Sequence, residues 1–384
     1  MVTTWAIGVE ELMRILRVAQ KCYPDVTGGG PYHVHAMSRD QATMGHDVTV
    51  LTLRNDPDQL QYEQRDGYTV VRYGETVSLL GNDISFGVAQ YLRNVDSFDV
   101  IHAHSHLYFS TNLAALAHRL SGAPLALTNH GLYSQSAPRW MFGWYLRTFG
   151  KWTFNTADIV FCYTKRDKAR VRRIGVDSDI KVVANGVDTN KFTPEGPTSD
   201  RITQNGPVLL FVGRLVKGKR PGDVISAFAR VQDVHPDAQL YLCGSGPMEG
   251  ELRNEVLRRN IEDATRFLGQ VPYDEMARVY RSADLLLLPS TAEGLPRTVL
   301  EAFASGVPAI TSSLEQIVPI VERAGRTVPV GDVSSLADAV CDVLSNDNMR
   351  DELGREGRSL VEESYQWQDT VDKTTDALCR IATQ

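Results

Sequence analysis

The sequence predicts an α/β protein built as two Rossmann-like halves joined by one linker. Short β-branched or apolar runs alternate with amphipathic helical stretches, the pattern of βαβ units and mainly parallel sheets. The alternation stops once, at 185–207 (NGVDTNKFTPEGPTSDRITQNGP), which is dense in Gly, Pro, Asn, Asp, Ser and Thr. The 384 residues leave room for two or three domains of about 100–200 residues each.

In chain order, the first half reads as strands at RILRVA (14–19), DVTVLTL (47–53), YTVVRY (68–73), FDVIHAH (98–104), LALTNH (125–130) and DIVFCYT (158–164). Helices are expected near 32–45, 109–120 and 139–155, where apolar residues recur at helical spacing. After the linker, strands VLLFVG, QLYLCG, TRFLG, DLLLLP and PAIT alternate with helical stretches at 223–234, 250–260, 273–282 and 299–305. Residues before Met13 have no basic start and carry Glu10 and Glu11 where an export signal would be apolar, so they read as an extension with no assigned function.

Composition narrows the function classes. A net charge of −7 and a pI near 5.8 give no overall basic field for nucleic acid, so no nucleic-acid partner is expected. Five scattered cysteines without a C-x-x-C pair (Cys22, Cys162, Cys243, Cys341, Cys379) suit a reducing compartment, with the cytoplasm as the default. No apolar run approaches the roughly 18 residues of a membrane-spanning helix.

Ligands of open α/β sheets bind beyond the carboxyl ends of the strands, and the motifs fall in those loops. PDVTGGGPY, with Gly28, Gly29 and Gly30 before Pro31, opens a helix whose N–H groups suit an anion; a tight turn is the plain alternative. GRLVKGKRP follows VLLFV, and Arg214 and Lys219, with Gly213 beside them, form a basic clamp suited to a diphosphate or, more plainly, a solvated basic turn. His130 ends a strand in LTNHG, where it can bond a sugar hydroxyl, assist proton traffic or serve structure alone. His102, His104 and His106 alternate and are expected on one strand face, as lining or packing residues rather than a metal site. The span 139–154 combines three tryptophans, four other aromatic rings, Arg139, Arg147 and Lys151. It reads as a helix buried on the sheet or as an interfacial surface for a lipid-borne acceptor.

EGLPRTVLEAFASG places Glu293 in a loop and Glu301 within a helix, with Pro296 expected in the first turn. Eight residues of ideal helix span about 12 Å, too far for paired carboxylates flanking one glycosidic bond at roughly 5–9 Å. A nucleotide sugar is long enough to engage one carboxylate at its sugar and the other at its ribose.

The ordered set GGG, HG, NGVD, GRLVKGK, CGSGP, FLGQVP and EGLPRTVLEAFASGVP resembles the retaining glycosyltransferases of family 4, over Met13 to about Leu378. The resemblance implies the GT-B fold, two facing Rossmann-like domains with mainly parallel sheets. It implies an acceptor-side domain at 1–195, a nucleotide-sugar domain at 196–364, and a closing helix at 365–384 that returns to the first domain. It assigns Glu293 to the donor sugar, Glu301 to the ribose, Arg214 and Lys219 to the diphosphate, and His130 to the sugar. Gly29, Gly30, Gly213, Gly246, Gly294, Leu295 and Pro296 would line the donor. The donor would be a UDP-sugar or GDP-sugar, used as substrate with no cofactor and no metal. The acceptor would be a hydroxyl, on a lipid-linked saccharide in polysaccharide or glycoconjugate biosynthesis, on another glycan or on a small molecule; the aromatic and basic span 139–154 tilts the expectation towards a lipid carrier met at the inner face of a membrane. A nucleotide-sugar epimerase and a binding protein without catalysis are the alternatives. Two departures stand out: Arg220 replaces a usual glycine, and the usual glycine pair after Ser313 is missing.

Overall fold

The structure, a computed structural model, describes residues 12–79, 82–132, 139–203 and 205–383. The extension before Met13 lies almost wholly outside them. The chain divides into two compact units, Met1–Val183 with Val371–Gln384, and Ala184–Thr370.

Among the described residues, the first unit holds ten strands: β1 (Arg14–Val18), β2 (Asp47–Leu53), β3 (Tyr62–Arg65), β4 (Tyr68–Tyr73), β5 (Val77–Leu79), β6 (Asn82–Ile84), β7 (Val100–His104), β8 (Leu125–Asn129), β9 (Ile159–Cys162) and β10 (Asp179–Val182). Eight form one sheet in the order β10-β9-β8-β7-β1-β2-β4-β3, with β5 and β6 as a separate hairpin. Pairing is parallel throughout that sheet except between β3 and β4. The period-2 alternation of each strand feeds two apolar layers. Leu16, Val18, Leu51, Ile101, Leu127 and Val160 face one, with Phe154. Ile15, Val50, Val100, Ala126 and Phe161 face the other, with Val34 of the helix Gly29–Thr43. Ala377, Leu378 and Ile381 of the helix Trp367–Ala382 complete that second layer.

The second unit is a six-stranded parallel sheet of β11 (Val208–Val212), β12 (Gln239–Cys243), β13 (Thr265–Gly269), β14 (Leu285–Leu288), β15 (Ala309–Ser312) and β16 (Gly325–Val328). Its order is β13-β12-β11-β14-β15-β16. The uninterrupted LLLL of β14 is explained by burial on both faces.

The segment at 185–207, expected to be a linker, is part of the second unit. Val187 and Phe192 are fully buried, and the Phe192 ring meets Tyr273 and Tyr280 edge-on at 5.6 and 5.8 Å. Its polar residues satisfy their own backbone: Asp188 Oδ1 accepts from the N–H groups of Asn190 and Lys191.

Strand order reverses between β1 and β7 in one sheet and between β11 and β14 in the other. Such switch points open a crevice at the strand carboxyl ends. The glycine-rich loop follows β1, the Arg214–Lys219 loop follows β11, and Glu293 follows β14.

Candidate active site

The basic loop of the second unit is built on backbone-to-backbone packing. Gly213 N–H donates to Cys243 O at 3.0 Å, Leu215 N–H to Ser245 O at 2.9 Å, and Met248 N–H to Leu215 O at 3.1 Å. A methyl group on Gly244 would lie 2.0 Å from Gly213 O, and one on Gly246 would lie 2.4 Å from Leu215 O. Gly246, read from sequence as lining the donor, is therefore required by the protein itself. Gly244 also has φ 135°, a region strained for any L side chain. Gly244→Ala is expected to lower the unfolding midpoint and nucleotide affinity together, at about 3 kcal/mol of stability. Thermal unfolding and a nucleotide titration on the same variant check this.

After Arg214, which is exposed, a short turn at Lys217–Lys219 leads to Arg220 at φ 54°, ψ 45°. This left-handed conformation accounts for the glycine usual here, since other residues lose about 1–2 kcal/mol in it. Arg220 holds it by donating from Nε to Asp223 at 2.5 Å, with its guanidinium against Gly331.

Lys219 Nζ donates to Glu293 Oε1 at 2.5 Å, and Glu293 is only 5% exposed. Two bonds from Thr291, N–H at 2.9 Å and Oγ1 at 3.1 Å, both to Gly218 O, staple the Glu293 loop to the basic loop. Where the glycine pair is missing, Gln316 reaches back and donates its side-chain amide to the Glu293 carbonyl. Gly294 and Leu295 are buried. Pro296 is extended and precedes the helix Arg297–Ala304, rather than lying in its first turn as the sequence suggested. Its fixed φ and the extended ψ end the loop, so the helix begins one residue later.

Glu301 is 4% exposed. Its Oε1 accepts from the Tyr273 hydroxyl at 3.0 Å and its Oε2 from Tyr280 at 2.9 Å, with Arg297 Nε 3.5 Å away. Burial pushes its carboxyl above the usual range, against the pull of Arg297 and the two hydroxyls. A ribose approaching Glu301 would share these oxygens with both tyrosines. Arg297 is buried too, and donates to Asn185 Oδ1, Gly186 O and the Tyr273 hydroxyl.

In the first unit, the loop after β1 ends at Gly28, φ 143°, which caps the helix Gly29–Thr43 without a side-chain bond. A methyl group on Gly30 would lie 3.8 Å from His130 Nδ1, so the glycine loop and His130 are neighbours. His130 Nδ1 is 2.8 Å from the Tyr163 hydroxyl and its Nε2 is 3.1 Å from His104 Nδ1. His33 lies edge-on to His130 at 5.5 Å. Burial lowers the His130 pKa to about 4 and pushes His102 and His104 well below the usual range. His130 is neutral near pH 7, which disfavours it as a proton carrier.

His106 departs from the expected row of three. β7 ends at His104, Ser105 turns left-handed at φ 68°, and His106 packs on Phe154 at 4.6 Å instead of beside His104. Among the described residues, no group of three or more His, Cys, Asp or Glu is placed to hold a metal ion.

No motif in the sequence marks Tyr163, Arg17, Tyr273, Tyr280, Arg297 and Gln316 as neighbours of the site residues. A signal existed for two of them. Tyr163 follows β9 at the level where His130 follows β8, and Arg17 is the one charge in the buried run ILRV of β1.

Two family models match the chain side by side: "Glycosyltransferase Family 4" over residues 27–191 and "Glycosyl transferases group 1" over 194–360. The chain belongs to these glycosyltransferases, and its class is an enzyme of glycosyl transfer with the GT-B fold. Among curated relatives, the glycogen synthase of Mycobacterium tuberculosis is 27% identical over 402 residues, 94% of this chain and 93% of the relative. The phosphatidyl-myo-inositol mannosyltransferase of the same organism is 29% identical over 356 residues, covering 89% and 90%. Among solved structures, sucrose-phosphate synthase from Thermosynechococcus elongatus superposes with a TM-score of 0.82 at 21% identity, over 96% of this chain and 99% of that one. Anabaena HepE in complex with UDP and glucose gives 0.80 at 19% identity, over 96% and 100%.

Proposed function

We propose that the protein is a retaining glycosyltransferase that moves a hexose from a nucleoside diphosphate sugar to a hydroxyl of a saccharide acceptor. The observation that carries this reading is the part-buried Lys219–Glu293 pair between two stapled loops at the switch point of the second sheet. In the proposed site, Lys219 and Arg214 take the charge that builds on the departing diphosphate, a preorganised electrostatic effect. The reading therefore needs neither a metal nor a cofactor. Glu293 has a second carboxylate oxygen for a sugar hydroxyl, Glu301 accepts from the ribose, and His130 bonds the donor sugar. Gly29, Gly30, Gly213, Gly294, Leu295 and Pro296 supply backbone that a diphosphate can approach closely. The acceptor attacks from the leaving-group side, and a diphosphate oxygen receives its proton.

The donor is a UDP-sugar or a GDP-sugar. HepE was solved with UDP-glucose, and one relative is named as a GDP-mannose-dependent mannosyltransferase. We place the acceptor on a lipid carrier at the cytoplasmic face of a membrane. Trp140, Trp144 and Phe149 are exposed on the helical span 139–156, and residues 100–157 contain no Asp or Glu in a protein of net charge −7. Exposed tryptophans among Arg and Lys suit a headgroup region. No helix of the described residues is long and apolar enough to cross a membrane.

A panel of UDP- and GDP-hexoses with lipid-linked and free saccharide acceptors tests the reading. The expected result is transfer from one donor, with the product's anomeric configuration equal to the donor's by NMR. An inverted product, or donor turnover without any acceptor dependence, would contradict it.

A further inference from the structure

His130 is held at both ring nitrogens by side chains to which no role has been given. Tyr163 follows β9 and His104 ends β7, the strands on either side of β8, so parallel pairing brings both to the level of His130. Each ring nitrogen then has one partner, at 2.8 Å (Tyr163 hydroxyl to Nδ1) and 3.1 Å (His104 Nδ1 to Nε2).

Relative basicity orders the protons. A phenol is a better donor than an imidazole N–H, and an imidazole nitrogen is a better acceptor than a phenol oxygen. Tyr163 therefore donates to Nδ1, and His130 carries its proton on Nε2 and donates it to His104 Nδ1. His104 must then carry its own proton on Nε2, a buried atom with no partner among the described residues. The layer beneath is ordered the same way. Arg17 is fully buried and only donates, to Ser38 at 2.7 Å and to Gln41 at 2.5 Å, and its Nη2 lies 3.3 Å from His102 Nδ1. That makes Nδ1 the acceptor of His102 and directs its Nε2–H to Thr128, 2.8 Å away. His102 stacks on His104 at 4.4 Å between ring centroids.

We propose that Tyr163 and His104 are positioning residues for His130, fixing its ring plane and its Nε2–H tautomer. The proposal rests on the reading of His130 at the donor sugar. It deepens that reading, because the fixed tautomer makes Nδ1 an acceptor. Nδ1 is also the atom nearest the methyl-free side of Gly30; its single lone pair is held by the Tyr163 hydroxyl, so a sugar hydroxyl would meet His130 there by displacing Tyr163 as the donor.

The test uses the full-length enzyme labelled with ¹⁵N-histidine. The wild type should show His130 as a single tautomer with an unprotonated Nδ1. Tyr163→Phe should shift the spectrum toward a mixture of tautomers and lower kcat about tenfold, with KM for the donor changed less than about threefold. His104→Ala should do the same, and His104→Asn, whose carboxamide oxygen can take the place of Nδ1, should restore most of the loss. An unchanged tautomer in both Tyr163→Phe and His104→Ala, with turnover within about twofold of wild type, would overturn the proposal. Wild-type turnover in His130→Ala, with the tautomer shift still present in Tyr163→Phe, would instead sink the role of His130 at the sugar.

Discussion

Replacing Lys219 by alanine is expected to lower turnover by about a thousandfold or more, the scale of losing a preorganised charge aimed at a developing anion. It should also destabilise the second unit, because Glu293 is left buried without its cation; breaking such a pair from one side costs about 3–5 kcal/mol. Lys219 keeps 18% of its side chain exposed, which puts the loss at the lower end. These two effects separate in a second variant. Lys219→Ala combined with Glu293→Gln removes both charges, so most of the stability should return while turnover stays lost. Chemical denaturation and initial rates on the single and double variants check this. Recovery of turnover with stability would mean that the pair is structural only.

Acid should unfold the first unit before the second. Eight of the nine histidines lie in the first unit. In the unfolded chain they titrate near pH 6.5, but burial holds His130 neutral down to about 4 and His106 to about 3. Between those values the unfolded state binds more protons, so the stability these groups confer is whole above pH 6.5 and is lost as pH falls. His130 alone accounts for roughly 3 kcal/mol between pH 6.5 and 4, against a total stability of about 5–15 kcal/mol. The guanidinium of Arg17, whose own pKa burial lowers to about 9, opposes protonation of His102 and His104 in the same layer. The checking measurement is proteolysis across pH 7 to 4, with cleavage expected first within residues 12–183. Preferential cleavage within 184–370 would contradict it.

The parallel sheets were legible because their strands carry unmistakable local patterns. RILRV, VIHAH and LLLL announce buried strands, and the loops after them announce chemistry. Two edge strands of the first unit were not legible. β3 (YEQR) and β10 (DIKV) are polar because only one side of each is paired, and polarity reads as loop. The segment at 185–207 misled for a related reason: its turn residues satisfy local backbone groups, while two apolar residues, Val187 and Phe192, anchor it. Of the site, Arg214, Lys219, Glu293, Glu301 and His130 stood out through spacing and motif. Their neighbours did not, since Tyr163, Tyr280 and Gln316 reach them from elements 33, 21 and 23 residues away. Only the fold brings such pairs together.

In the proposed site the second unit grips a diphosphate through Lys219 and Arg214. Calorimetric titration with the UDP and GDP pair, each beside its monophosphate, tests it most directly. For the base the enzyme accepts, the diphosphate should bind at least about tenfold more tightly than the monophosphate, and Lys219→Ala should erase that difference. Equal affinity for the two in the wild type, or a preference that survives the loss of Lys219, would contradict it.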